Sequence, residues 1–164
     1  VGADFPLILR VSRHLMIPGS FTEDEQLAFL KEVAPYIDMV NVSVGMDCNH
    51  KANVHAGTTV FEKHKYNIEF AARLKRECDV LVCPVGAIMS PEEAEEVIAA
   101  GQADAVMMGR PLIADPYLPN KAMEDKSEDI VPCVRCLYCY HIATEHTNVQ
   151  CTVNPRFIGS SECH

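Results

Sequence analysis

Four short apolar runs punctuate the chain: LILRV at 7–11, MVNVSV at 39–44, VLVCPV at 80–85 and AVMMG at 105–109. Runs of this length between polar stretches read as buried strands. The stretches between them carry helix signals. After the first run, Thr22 and Glu25 form a capping box ahead of Leu27, Leu30, Val33 and Ala34, which share one helical face. After the second, Asn67 is placed to cap IEFAARLKREC, with Ile68, Ala71, Ala72 and Leu74 turned inward. After the third, SPEEAEEVIAAG supplies Ser90 as N-cap, Pro91 in the first turn, apolar Ala94, Val97 and Ile98, and Gly101 as the stop.

Strands alternating with helices predict β/α units and an α/β fold with a parallel sheet. Two architectures satisfy the pattern, a small doubly wound sheet and part of a (β/α)8 barrel. At 164 residues the pattern alone favours the sheet, because a whole barrel takes about 250 residues. From Pro116 onward the alternation stops. The stretch DPYLPNKAMEDKSEDIVP is polar and proline-punctuated, and a cysteine-rich, loop-rich appendage follows.

Composition narrows the functional classes. An apolar content of 48% is enough for a real core, and a formal charge of −9 with scattered Lys and Arg argues against nucleic-acid or anionic-membrane partners. No run approaches a membrane span and the N-terminus lacks signal-peptide grammar, so a cytoplasmic protein is expected. The first residue is Val1 rather than Met, which fits a piece of a longer protein.

The cysteines carry the strongest chemical signal. Cys133, Cys136 and Cys139 follow C-x2-C-x2-C, and Cys151 comes after eleven intervening residues. A tight loop of three thiolates with a distant fourth can hold the corners of a cubane iron–sulfur cluster. Structural zinc sites more often draw two separated pairs onto a tetrahedron, and uncoordinated thiols are a third reading. Cys163, near the chain end, reads as a bystander, Cys83 and Cys78 as core or near-surface thiols, and Cys48 has no assigned role.

In parallel β/α folds, the loops after the strands build the site. Those ends carry Arg10 with Ser12, Ser43 with Gly45, Gly86 with Ala87, and Gly109 with Arg110. Small residues at two consecutive ends beside a cation suit a phosphate, although glycine also ends strands for steric reasons alone. Arg10, inside an apolar run, sits either at a sheet edge or in a polar site that uses its charge.

FPLILRVS, PVGAIMSPEEAEEVIAAGQADAVMMGRPLIADPYLPNKA and IVPCVRCLYCY followed by VQCTVNP resemble the second half of old yellow enzyme-like NADH:flavin oxidoreductases. The iron–sulfur branch, with 2,4-dienoyl-CoA reductase and trimethylamine dehydrogenase, is the most similar. The resemblance runs from Asp4 to about Pro155 and implies strands five to eight of an FMN-binding (β/α)8 TIM barrel over residues 1–118, then an iron–sulfur segment over 119–164. It implies that Arg10 faces the flavin N1/O2 edge, that Gly86, Ala87, Gly109 and Arg110 hold the FMN phosphate, and that Cys133, Cys136, Cys139 and Cys151 ligate one 4Fe–4S cluster.

The same resemblance implies reduction of an activated C=C bond of a small-molecule substrate, with amine dehydrogenation as the alternative. A non-catalytic phosphate-ligand-binding or zinc-stabilised fragment is the reading from another class. Partners implied are the missing N-terminal half-barrel, a C-terminal region for FAD and NAD(P)H, and a second copy of the chain, since two copies would supply eight strands. The sequence departs from the pattern in places. Ala87 replaces a second glycine and is expected to keep φ negative. The x2 gap between Cys136 and Cys139 resembles the amine dehydrogenases. His50, with His55 beside it in GMDCNHKANVH, is the candidate proton donor, and both also read as plain loop histidines.

Overall fold

Three of the four apolar runs form strands: β1 (Ile8–Ser12), β2 (Met39–Ser43) and β3 (Leu81–Pro84). They make one parallel sheet in the order β1-β2-β3. The computed structural model describes residues 2, 5–45, 63–145, 149–154 and 156. Cys48, His50 and His55 fall outside the described residues, as does Cys163.

Each strand is followed by a helix: α1 (Glu23–Val33), α2 (Ile68–Glu77) and α3 (Pro91–Ala99). The capping box forms as expected, with Thr22 accepting from the Glu25 N–H and the Glu25 carboxylate accepting from the Thr22 N–H. Ser90 likewise caps α3, accepting from the Glu93 N–H at 3.3 Å. Gly101 ends that helix region at φ +65, a left-handed turn that glycine adopts without a Cβ clash. Ile98, expected inward, is exposed, and Val97 alone of its helix is buried.

The helices share one face of the sheet. Leu27 and Leu30 of α1 and Phe70, Ala71 and Leu74 of α2 pack with Val40, Val42 and Val82. A second cluster joins Ile68, Ile88, Val97 and Ala103, with Val106 and Met108 against it. Fully burying each large side chain contributes about 1.5–3 kcal/mol, so this face fixes the register of the alternating strands. The opposite face is left open: Ile8 is 62% exposed, Leu81 49% and Met107 40%.

The fourth run does not become a strand, and its pairing with β3 reduces to the bridge between Val85 and Met107. The cause lies on β3. Met107 N–H donates to the Pro84 carbonyl and Asp104 N–H to that of Val82, but Pro84 has no N–H to return. The Val82 N–H is taken by the Asp104 side chain at 2.8 Å. Return donation from β3 is therefore lost at both positions.

Beyond Pro116 the expected loop-rich character is modified by α5 (Leu118–Met123) and α6 (Tyr138–Glu145), with the short α4 (Arg110–Ala114) just before. Among the described residues no helix is long and apolar enough to cross a membrane.

Candidate functional site

The register places Arg10, Asn41 and Cys83 in one row across the open face, with Ser12 and Ser43 in the next. Arg10 Nη1 donates to Asn41 Oδ1 at 2.8 Å and Nη2 to Ser43 Oγ at 3.2 Å. Asn41, 2% exposed, passes the chain on by donating to the Cys83 carbonyl at 2.7 Å. Nη1 also lies 3.7 Å from Met107 Sδ. The guanidinium is thus an aimed cation on the open face, held from the neighbouring strand. Asn41 escaped notice in the sequence, although an asparagine inside an apolar run is the signal for a buried polar group that must find partners.

Above the sheet, Gly86 has φ +140, and a Cβ there would lie 2.7 Å from Tyr66 Cε1 and 2.9 Å from Asn67 Nδ2. Glycine is required by both conformation and space. Ala87, expected at negative φ, instead sits at φ +49. The turn after β3 needs two consecutive residues at positive φ, and the small side chain of alanine bears the second at a cost of about 1–2 kcal/mol. Asn67, expected as an α2 cap, makes no capping bond. Its side chain is used elsewhere, accepting from Arg13 Nε at 2.8 Å and donating to the Val85 carbonyl at 2.5 Å.

Arg13, unflagged by the sequence, is a further cation at the end of β1. It pairs with Glu23 and stacks over the Tyr66 ring at 5.9 Å. Burial lowers its pKa, while the Tyr66 and Glu69 charges act against that shift. Tyr66 also acts electrostatically on Arg110. A Cβ at Gly109 would meet nothing within 4 Å, so its backbone borders open space. Glycine backbone beside a half-buried arginine fits a phosphate, and the residues of this end suit the FMN that the family resemblance implies.

Arg110 reaches the other site as well. With Cys133, Cys136, Cys139 and Cys151 it lines a small, partly open cavity of about 10 Å3, together with Ile113, Leu137 and Val153. The four cysteines singled out by spacing therefore come together, and Cys83 and Cys78 lie elsewhere. All six cysteines among the described residues are free thiols. Among the described residues, no three His, Cys, Asp or Glu side chains converge as ligands of a single ion. The four thiols do line one cavity, and cysteine thiolates are the donor chemistry that iron–sulfur clusters take.

The backbone turns them inward. Arg135 and Leu137, alternating with the cysteines, have φ +55 and +61. The Arg135 N–H points at the Cys133 sulfur and the Tyr138 N–H at that of Cys136. Burial pushes the Cys133 and Cys139 thiols up, against the pull of Arg110. At Cys136 burial acts the same way, but Thr152, the Tyr138 and Cys136 N–H groups and Arg110 outweigh it and lower the pKa. The fourth-cysteine loop is pinned to α4 by Asn154, which donates to the Ile113 carbonyl at 2.9 Å. Asp115, buried, gathers Lys121 Nζ at 2.6 Å and the N–H groups of Tyr117 and Val131 at 3.0 Å, tying the sheet end to the cysteine segment.

Residues 1–129 match the model of the NADH:flavin oxidoreductase / NADH oxidase family. The chain belongs to this family. It is 33% identical over 163 residues to an NADH oxidase of Thermoanaerobacter brockii, covering 94% of this chain and 24% of that one. A solved 2-naphthoyl-CoA reductase in complex with 2-naphthoyl-CoA superposes with a TM-score of 0.83 at 29% identity, over 95% of this chain and 24% of the other. Histamine dehydrogenase from Rhizobium sp. 4-9 gives a TM-score of 0.83 at 25% identity, over 93% and 22%. The chain spans about a quarter of the length of these relatives. Flavin-dependent oxidoreductases are thus the enzyme family in which its residues are to be read.

Proposed function

We propose that the chain forms strands five to eight of an FMN-binding (β/α)8 barrel over residues 1–118, with an iron–sulfur segment over 119–164, in an NAD(P)H-linked oxidoreductase acting on activated C=C bonds. The observation that carries this reading is the single cavity lined by Arg110 and four cysteines at the end of the sheet. Sequential strand order with the helices on one face supports a barrel wall, since a doubly wound sheet reverses its order and covers both faces. The exposed Ile8, Leu81 and Met107 on the open face support a partner half, supplied by preceding chain or by a second copy.

Arg10, braced by Asn41 and Ser43, would set its charge against the electron-rich edge of the flavin. Gly86, Ala87, Gly109 and Arg110 would hold the phosphate, and Cys133, Cys136, Cys139 and Cys151 the 4Fe–4S cluster. When bound, FMN supplies hydride transfer and the cluster supplies one-electron transfer toward an FAD or NAD(P)H region outside this chain. Held there, the Arg10 charge would stabilise negative charge on that edge without reorganisation. His50, outside the described residues, remains our candidate for the proton. The x2 spacing of Cys136 and Cys139 and the equal TM-score with histamine dehydrogenase favour a second reading, amine dehydrogenation.

Anaerobically prepared protein should show flavin and broad iron–sulfur absorption, with about four iron atoms per chain as the cubane requires. Arg110→Ala should weaken FMN binding by about 1.5–3 kcal/mol, the value of a charge-assisted contact. Unchanged FMN affinity across a salt series would remove Arg110 from the phosphate site.

A further inference from the structure

Thr152 stands outside the cysteine set, yet its hydroxyl oxygen lies 3.4 Å from the Cys136 sulfur, sixteen residues away. Between a thiol and a hydroxyl either atom can be the donor. A cysteine bound to iron is a thiolate with no proton, so the hydroxyl alone is left to donate. We propose that Thr152 is a positioning residue that donates a hydrogen bond to the Cys136 ligand and thereby raises the reduction potential of the cluster; this rests on the cluster reading above.

The direction follows from charge. Reduction adds an electron whose density spreads onto the ligand sulfurs, so a donor aimed at sulfur stabilises the reduced form more than the oxidised one. Cys136 is the exposed member of the four, the others being half-buried. At that corner the protein surrounds the sulfur least, and a fixed O–H adds to the local field there. The β-branch of threonine restricts χ1 and keeps the hydroxyl oriented. The loop is also held on either side of it. Tyr138 Oη donates to Gln150 Oε1 at 3.3 Å, and Asn154 Nδ2 to the Ile113 carbonyl at 2.9 Å. The side chains of residues 150, 152 and 154 each reach back to an earlier part of the chain, and the middle one ends on the Cys136 sulfur. Because Thr152 is exposed, water competes for the bond and the effect is smaller than that of a buried donor.

The test is a redox titration of the anaerobic holoprotein, following the cluster optically, with iron per chain measured on the same samples. Thr152→Val keeps the shape and removes the donor; Thr152→Ser keeps the donor. The reduced-to-oxidised ratio at a fixed poise should fall about fivefold in the valine variant, a lowering of about 40 mV for a one-electron couple, and stay within about twofold of the parent in the serine variant. Iron content should be equal in all three. If the valine variant holds no iron, Thr152→Ala takes its place with the same lowering expected. A valine potential equal to the parent's, or an equal shift in valine and serine, overturns the role of the hydroxyl. A parent protein without iron overturns the cluster reading first, and is told apart by the iron assay alone.

Discussion

Between β1 and Met108 the chain is held by apolar side chains, with Leu30, Val40, Val42, Ala71, Leu74 and Val82 fully out of water. Beyond Pro116 the only buried apolar residues among those described are Leu118 and Ile142, and the ties are polar: Asp115 to Lys121 and Val131, Asn154 to Ile113, Cys136 to Thr152. The first region gains its order from area removed from water. The second gains little that way, and has less burial to set against the left-handed backbone of Asp125, Arg135 and Leu137, which costs about 1–2 kcal/mol each, than the first has against that of Met16, Lys65 and Ala87. On the proposed cluster reading, such a segment would draw its remaining order from what its thiols bind, because metal affinity is then also folding free energy.

The comparison is broken most directly in the apolar region. Leu74→Ala removes a fully buried side chain from the cluster shared by α1, α2 and the sheet, and should destabilise the fold by about 2–5 kcal/mol. Urea denaturation followed by far-UV circular dichroism reads this as a lower midpoint. A loss below about 1 kcal/mol would mean that this core yields and refills, and that the contrast with the cysteine segment is weaker than its burial indicates.

Asp115 sharpens the boundary between the regions. Burial pushes its pKa up, but Lys121 and the N–H groups of Val131 and Tyr117 outweigh that and hold it below the usual carboxylate value. A depressed folded pKa contributes stability that is present above the unfolded value of about 3.9 and is lost as pH falls through the folded pKa. Protease resistance of the cysteine segment should therefore be level from neutral pH down to about 5 and fall only below about 4. Asp115→Asn should cost about 1.5–3 kcal/mol, the value of hydrogen bonds to a charged group, at every pH above that range. Equal proteolysis of parent and variant at neutral pH would remove Asp115 as the joint.

Legibility differs between the regions for the same reason that their stability does. Period and capping residues are local, so β1, β2, β3, Thr22, Ser90 and Gly101 could be read directly. Thiol spacing is local too, and three of the four cavity cysteines lie within seven residues. What the sequence hid depends on a neighbour's unused or missing donor. The AVMMG run has strand composition, but Pro84 and the Asp104 side chain deny it a reciprocal ladder. Asn67 stands where a cap belongs, but Arg13 and the Val85 carbonyl, distant in sequence, claim its side chain. Arg13 and Thr152 became visible only when their partners, 54 and 16 residues away, were brought to them.

Ala87 gives the finest test, because it puts left-handed strain of the kind seen at Arg135 and Leu137 inside the well-packed region. At φ +49 an alanine costs about 1–2 kcal/mol that a glycine would not. Against that, Ala87→Gly frees the unfolded chain, costing about 0.4–1 kcal/mol, and removes a buried methyl worth about 0.8 kcal/mol. The opposing contributions nearly cancel, so stability in urea should stay within about 1 kcal/mol of the parent. FMN affinity should change less than in Arg110→Ala, since the backbone conformation is one that glycine keeps without strain. A loss above about 2 kcal/mol would show the methyl to be a packing element of the turn, while a gain above about 1 kcal/mol would show strain that the surrounding core does not offset.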